Sequence, residues 1–284
     1  MHIQQISDEG TANPIVARLS IQTQDLLQYF VDLSEQQRQQ IFSVMFSDIQ
    51  PKLLACSKIA NELSGQVKEH QRVVDERGVQ MVGSGAFRLP GISDLQPRAE
   101  TFLYHAKSVL RDLTKLFAIL FDQSFDSARF DLVARWAEKK FGPADELTRM
   151  LKTDLGWTKQ IVDMRNAVEH PDGYAGHLHV ENFTGEKSKI LSPAGTRGWE
   201  APVIIVTEPR WYRNTEEKSP ITMDMLVMVD NLLTLCEETL VLCLNKFKKN
   251  FPILIGEVPK AERDPRCPVR YKMMVDTSKV KWPP

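Results

Sequence analysis

The sequence predicts a mainly helical fold with a small antiparallel β insertion, and three observations carry that prediction. Apolar residues recur at i, i+4, i+7 and i+11 over long stretches, most clearly in 98–122 and 221–248. Helix-start residues and helix-stopping Gly and Pro fall where such stretches begin and end. Between about 175 and 210 the pattern changes to short β-branched runs punctuated by Gly and Pro, as strands and turns require.

Taken in order, the first dozen residues are polar and read as loose chain. A short helix is expected near 21–32, with Leu26, Leu27, Phe30 and Val31 as its apolar side. Ser34 with Gln37 makes a capping-box pattern, followed by helical spacing through Ile41, Val44, Met45 and Ile49. Pro51 suits the first turn of a further helix that reaches Arg77 and carries Leu53, Leu54, Ile59, Leu63 and Val67. Residues 78–97 hold several glycines and prolines and read as a connecting loop. Its Gly83-Ser84-Gly85 lacks the Gly-Lys-Ser/Thr ending of a phosphate loop, and no strand feeds it. In the 98–122 helix, Phe102, Ala106, Val109, Leu113, Leu116 and Leu120 form the stripe, widened by Leu103, Leu110 and Phe117.

A helix at 129–141 should stop at Gly142-Pro143, and one at 144–155 should end with Gly156 beyond its last turn. Trp157, Ile161, Met164 and Val168 mark a helix ending near His170-Pro171, because proline disfavours helix in the residue before it. His177 to Phe183, Lys189 to Leu191 and Val203 to Val206 are strand candidates, with Thr184-Gly185-Glu186 as a turn. Ser219-Pro220 opens the last long helix, to about Lys248, whose apolar residues cover several faces. The chain thus divides into an N-terminal helical region with a Gly/Pro-rich loop (1–97), a helical bundle with a β insertion at 175–210 (98–250) and a proline-rich basic tail (251–284). From Glu257 onward the tail holds seven Lys or Arg against four Asp or Glu. Such a tail could contact RNA or a partner, though solvated tails are usually inert.

Composition bounds the function. The 284 residues are 42% hydrophobic and 26% charged, which fits a globular chain, and the net charge of −1 supplies no overall field for a polyanion. Nucleic-acid binding would therefore need a local patch. Cys56, Cys236, Cys243 and Cys267 lack metal-binding spacing and read as reduced thiols. Neither a secretion signal nor an apolar run of membrane-spanning length is evident, so a soluble, cytoplasmic protein without a membrane partner is expected.

The chemistry-bearing segment is Arg165-Asn166-Ala167-Val168-Glu169-His170. A histidine can take and return a proton near neutral pH, and a guanidinium can grip a phosphate and stabilise added negative charge. Together they suit metal-free RNA cleavage, in which a base activates the 2′-hydroxyl against the adjacent phosphate. On an ideal helix Asn166 shares a face with His170, and Arg165 with Glu169. Unwinding of the last turn before Pro171 would bring the imidazole round. Spacing alone favours a plainer reading: an Arg165–Glu169 ion pair, with His170 where the helix dipole favours a cation.

Met164-Arg165-Asn166-Ala167-Val168-Glu169-His170 resembles the signature of the HEPN superfamily, an Arg, four to six residues with a polar one often first, then His. The resemblance extends over about 98–170, with 221–248 as a returning helix. It implies a HEPN-like helical bundle, pairing of two protomers as a homodimer around a composite cleft, and metal-independent endoribonuclease activity in toxin–antitoxin or defence systems. It places Arg165 and His170 as catalytic residues, Asn166 as the polar neighbour and Glu169 as an orienting or screening group, with RNA and an antitoxin as partners and no cofactor. The family also contains inactive members that serve as binding or scaffold modules.

Three other constellations compete. His170, Asp172, His177, His179 and Glu181 lie close enough in sequence for a metal-dependent enzyme to use them. Arg210-Trp211-Tyr212-Arg213 mixes cations with aromatics as single-strand RNA sites do, or is a strand-end cluster. His105 reads as a partly buried histidine beside the core.

Overall fold

The computed structural model describes residues 9–82, 86–125, 127–188, 203–247 and 253–275. The protein is mainly helical with small antiparallel sheets. Contacts gather it into two compact units. The first comprises Met1–Ala55, His105–Val162 and Val229–Pro284; the second comprises Cys56–Tyr104 and Asp163–Met228.

The chain becomes helical earlier than its apolar pattern suggests. α1 (Pro14–Val16) is capped by Asn13, whose side chain accepts from Ile15 N at 2.9 Å, with Pro14 supplying a preset φ at the first position. A π-helical stretch, Ala17–Ile21, leads into α2 (Gln22–Leu27). Leu26 and Leu27 are buried as expected, but Val31 lies beyond the helix and is exposed. α3 (Glu35–Ser43) opens with the capping box: Ser34 Oγ accepts from Gln37 N, and Gln37 Oε1 accepts from Ser34 N. The chain then continues through π-helical Val44–Ile49 into α4 (Gln50–Arg77). Pro51 therefore sits inside a continuous helical run rather than at a fresh start. It has no N–H to donate, and the wider turn just before it, closed by Gln50 N donating to Met45 O, is where such a defect is absorbed.

In the expected 78–97 loop, β1 (Gln80–Val82) and β2 (Ala86–Arg88) form an antiparallel hairpin; Gly83 to Gly85 lie outside the described residues. The long helix after it is two helices, α5 (Leu95–Leu113) and α6 (Lys115–Phe121). At the break the Thr114 hydroxyl donates to Arg111 O at 2.7 Å, a local side-chain bond that competes with the helical ladder. The predicted stripe is nonetheless buried: Phe102, Leu103, Ala106, Val109, Leu110, Leu113, Leu116 and Phe117 are at 0% exposure.

α7 (Phe130–Phe141) stops at Gly142, where φ is +93°. α8 (Glu146–Thr153) is capped by Asp145. Gly156 does not end that helix; it lies in the first turn of α9 (Leu155–Glu169). Asp154 keeps a right-handed conformation and accepts from Thr158 N, so the chain re-enters helix without needing a glycine to reverse it. In the first unit, Phe117, Phe121, Phe125, Trp136, Phe141 and Phe247 pack ring against ring, and the Lys140 ammonium lies 4.8 Å from the Phe121 centroid.

The insertion is antiparallel. β3 (Leu178–Glu181) pairs with β6 (Arg210–Arg213), which pairs with β7 (Ser219–Pro220). β4 (Thr184–Ser188) pairs with β5 (Val203–Thr207), so Thr184-Gly185-Glu186 is strand rather than turn. The Lys189–Leu191 candidate lies outside the described residues. Ser219-Pro220 belongs to β7, and α10 begins after it (Ile221–Asn245). In its second half α10 is buried on nearly every side, including Glu237 at 0% exposure. In the tail, β8 (Ile253–Glu257) pairs with β9 (Tyr271–Val275) as a hairpin, fastened in the first unit by Arg270 N and Tyr271 N donating to Gln22 Oε1, each at 2.7 Å. Among the described residues no helix is long and apolar enough to cross a membrane.

Candidate functional site

The motif residues occupy the last turn of α9 in the second unit. The helix is anchored there by Met164 and Ala167, buried at 3% and 1% exposure. Asn166 is buried as well, and its Nδ2 donates to the Tyr174 hydroxyl. Arg165 Nη2 pairs with Glu169 Oε1 at 3.2 Å, and its guanidinium carbon lies 5.6 Å from the centroid of the Tyr104 ring. The arginine side chain is 15% exposed, and its Nε is buried with no hydrogen-bond partner among the described residues. His170 is exposed at the helix end.

The last turn does not unwind. His170 N still donates to Asn166 O at 2.8 Å, so the α-helical ladder holds up to the residue before Pro171. The chain then reverses at once: Gly173 N donates to His170 O at 2.9 Å, with Pro171 second in the turn and Asp172 third at φ +69°. That is the type II pattern, with proline presetting the first corner. Gly173 is required by close approach, since a Cβ there would lie 2.9 Å from His170 O. Gly176, at φ +74°, packs so tightly on Asn214 that a Cβ would fall 2.0 Å from its Oδ1. Asn214 in turn accepts from His177 N and donates its own N–H to His177 O. The segment after the motif is therefore held at both ends.

Other candidates resolve differently. His177 and His179 meet edge to face at 4.7 Å, and His179 stacks on Tyr212 at 4.8 Å. Glu181, third in that row, is taken by Lys218 at 2.7 Å and by the Tyr212 hydroxyl at 3.1 Å, which hold its carboxyl below the ordinary range. Among the described residues no group of three or more His, Cys, Asp or Glu is placed to hold a metal ion. The Arg210–Arg213 cluster is a structural strand: Trp211 is fully buried with its Nε1 donating to Asp224 at 2.7 Å, and Arg213 pairs with Asp163 and Glu216. His105 belongs to the first unit, where burial and then the Lys52 charge push its pKa down.

The sequence reading does not single out Tyr104 or Tyr174, which flank the motif at 51% and 83% exposure. Tyr104 falls outside the apolar stripe of its helix, and Tyr174 sits between two glycines of a tight turn; those are the only signals either offers. Comparison with protein-family models, with curated proteins and with solved structures finds no match for this chain.

Proposed function

We propose that the protein is a HEPN-like, metal-independent endoribonuclease that works as a homodimer, in a toxin or defence setting. The observation that supports this best is the exposed imidazole of His170 on the same helix end as Arg165, Asn166 and Glu169, where backbone hydrogen bonds from Gly173 and Gly176 hold the chain that follows. In this reading His170 removes the proton of a ribose 2′-hydroxyl. The 2′-oxygen attacks the adjacent phosphorus, the 5′-oxygen leaves with a proton returned by imidazolium, and a 2′,3′-cyclic phosphate remains. Arg165 stabilises the charge that develops on the phosphoryl oxygens. Glu169 screens that guanidinium until a phosphate competes for it, and a second protomer brings a second motif to the cleft.

A scaffold role is the other reading, and the Arg165–Glu169 pair favours it, since an ion pair at this spacing needs no substrate to explain it. Incubation with several RNAs in EDTA separates the two. The nuclease reading expects cleavage insensitive to EDTA, a loss of at least about 100-fold in His170→Ala, and cyclic-phosphate ends. No cleavage by the wild-type chain, with Arg165→Ala merely loosening the fold, supports the scaffold.

A further inference from the structure

We propose that Tyr174 is a nucleobase platform, so that the site takes RNA whose bases are unpaired next to the scissile phosphate. This rests on the ribonuclease reading and sharpens its substrate. Tyr174 is the most exposed of the large hydrophobic side chains among the described residues, at 83%. Exposed tyrosines usually ride on mobile loops; this one stands on a segment held at both ends. Behind it are the His170–Gly173 turn, the Gly173–Gly176 bridge and the close packing of Gly176 on Asn214. Its hydroxyl accepts from Asn166, itself buried in α9, so the ring is fixed at its tip as well as at its backbone. A flat apolar ring held rigidly in water is preorganised to stack, and any base offers a π face to it. Tyr104 is half exposed and carries the Arg165 guanidinium over its ring, so the arginine of the motif is itself stacked on an aromatic face.

Charge decides what kind of RNA fits. Among the described residues three cations of this unit are engaged by carboxylates: Arg165 by Glu169, Arg213 by Asp163 and Glu216, and Lys218 by Glu181. Cations paired in this way attract a phosphate less than free ones do, so stacking carries a large share of the affinity. A duplex presents phosphates and groove edges but keeps its base faces covered, and a ring such as Tyr174 has nothing to stack on. A single strand with splayed bases does.

The test is fluorescence anisotropy with an unstructured RNA 12-mer, its duplex and the matching DNA strand, using full-length His170→Ala so that the probe stays intact. Tyr174→Ala in that background should weaken single-strand binding about 5- to 150-fold, the equivalent of the ~1–3 kcal/mol of one base–aromatic stack, whereas Tyr174→Phe should stay within about threefold. The single-stranded DNA should bind and not be cut by the wild-type chain, since it lacks the 2′-hydroxyl nucleophile. Affinity should fall with salt with a log–log slope no steeper than about −2, against about −4 for six neutralised phosphates on a single strand. Thermal unfolding of Tyr174→Ala near the wild-type temperature shows that the fold is retained. Binding by Tyr174→Ala within twofold of its parent, or duplex bound as tightly as single strand, overturns the platform. If the wild-type chain still cleaves RNA in that case, the nuclease reading stands without it. Binding that depends on Tyr174 with no cleavage of any RNA leaves the platform and removes the nuclease; no RNA binding at all removes both.

Discussion

Replacing Glu237 by Ala should be among the most destabilising single changes in the protein. The carboxylate is at 0% exposure in α10 and accepts from Arg18 Nε at 2.8 Å, Arg18 Nη2, Gln22 Nε2 at 3.3 Å and Arg270 Nη1 at 2.9 Å. Arg270 has further partners in Glu257 and Glu238, each at 2.8 Å, so it survives the loss. Arg18 does not: its side chain is 8% exposed, and the next contact is a 3.4 Å approach of Nη2 to Thr234 Oγ1. An uncompensated buried charge of this kind costs about 3–5 kcal/mol. Glu257→Ala also removes an Arg270 contact, but from a side chain 49% exposed, and should cost about 1 kcal/mol or less. Arg18→Met with Glu237→Leu should regain much of the Glu237→Ala loss, because two apolar side chains of similar volume need no partner. Urea unfolding followed by circular dichroism measures all four proteins. A cost for Glu237→Ala below about 1 kcal/mol, or equal to that of Glu257→Ala, would show that the network contributes nothing beyond surface pairs.

Two further outcomes follow from the same physics. Burial pushes the Asp112 carboxyl upward, but hydrogen bonds and charge from Lys52 and Lys115 outweigh it and leave its pKa below the ordinary value. A depressed folded pKa adds stability above the unfolded value, about 3.9, and that stability is lost as pH falls through the folded value. Asp112→Asn should therefore destabilise more at pH 6 than at pH 3 in urea unfolding; an equal cost at both refutes it. Gly176→Ala combines a left-handed residue with displacement of Asn214 from His177, and should lower stability by about 2–3 kcal/mol, read as a fall in Tm. An unchanged Tm would mean that the segment beyond the motif is not pinned there.

The helical pattern was legible wherever one local signal sufficed. Ser34 with Gln37, Gly142 at a helix end and the Phe102–Leu120 stripe all act through neighbours within about four residues. Pro51 and Gly156 misled for the same reason: each is a local stop signal overridden by the surrounding helix, through a π-helical turn in one case and right-handed backbone in the other. The 80–88 and 253–275 hairpins were missed because short strands with little alternation are stabilised by the partner strand and not by their own pattern.

The sequence by itself determined that Arg165, Asn166, Glu169 and His170 share one helix end, because the helical spacing runs up to them and Pro171 disfavours helix beyond. Tertiary structure decided what surrounds them. Tyr104 is 61 positions before Arg165, and Asn214 is 38 positions after Gly176. Contacts over such separations depend on how elements pack and leave no periodic trace in the chain. The Arg165–Glu169 pair follows from helical spacing, whereas the Tyr104 ring against Arg165 and the fixed, solvent-facing Tyr174 are consequences of that packing.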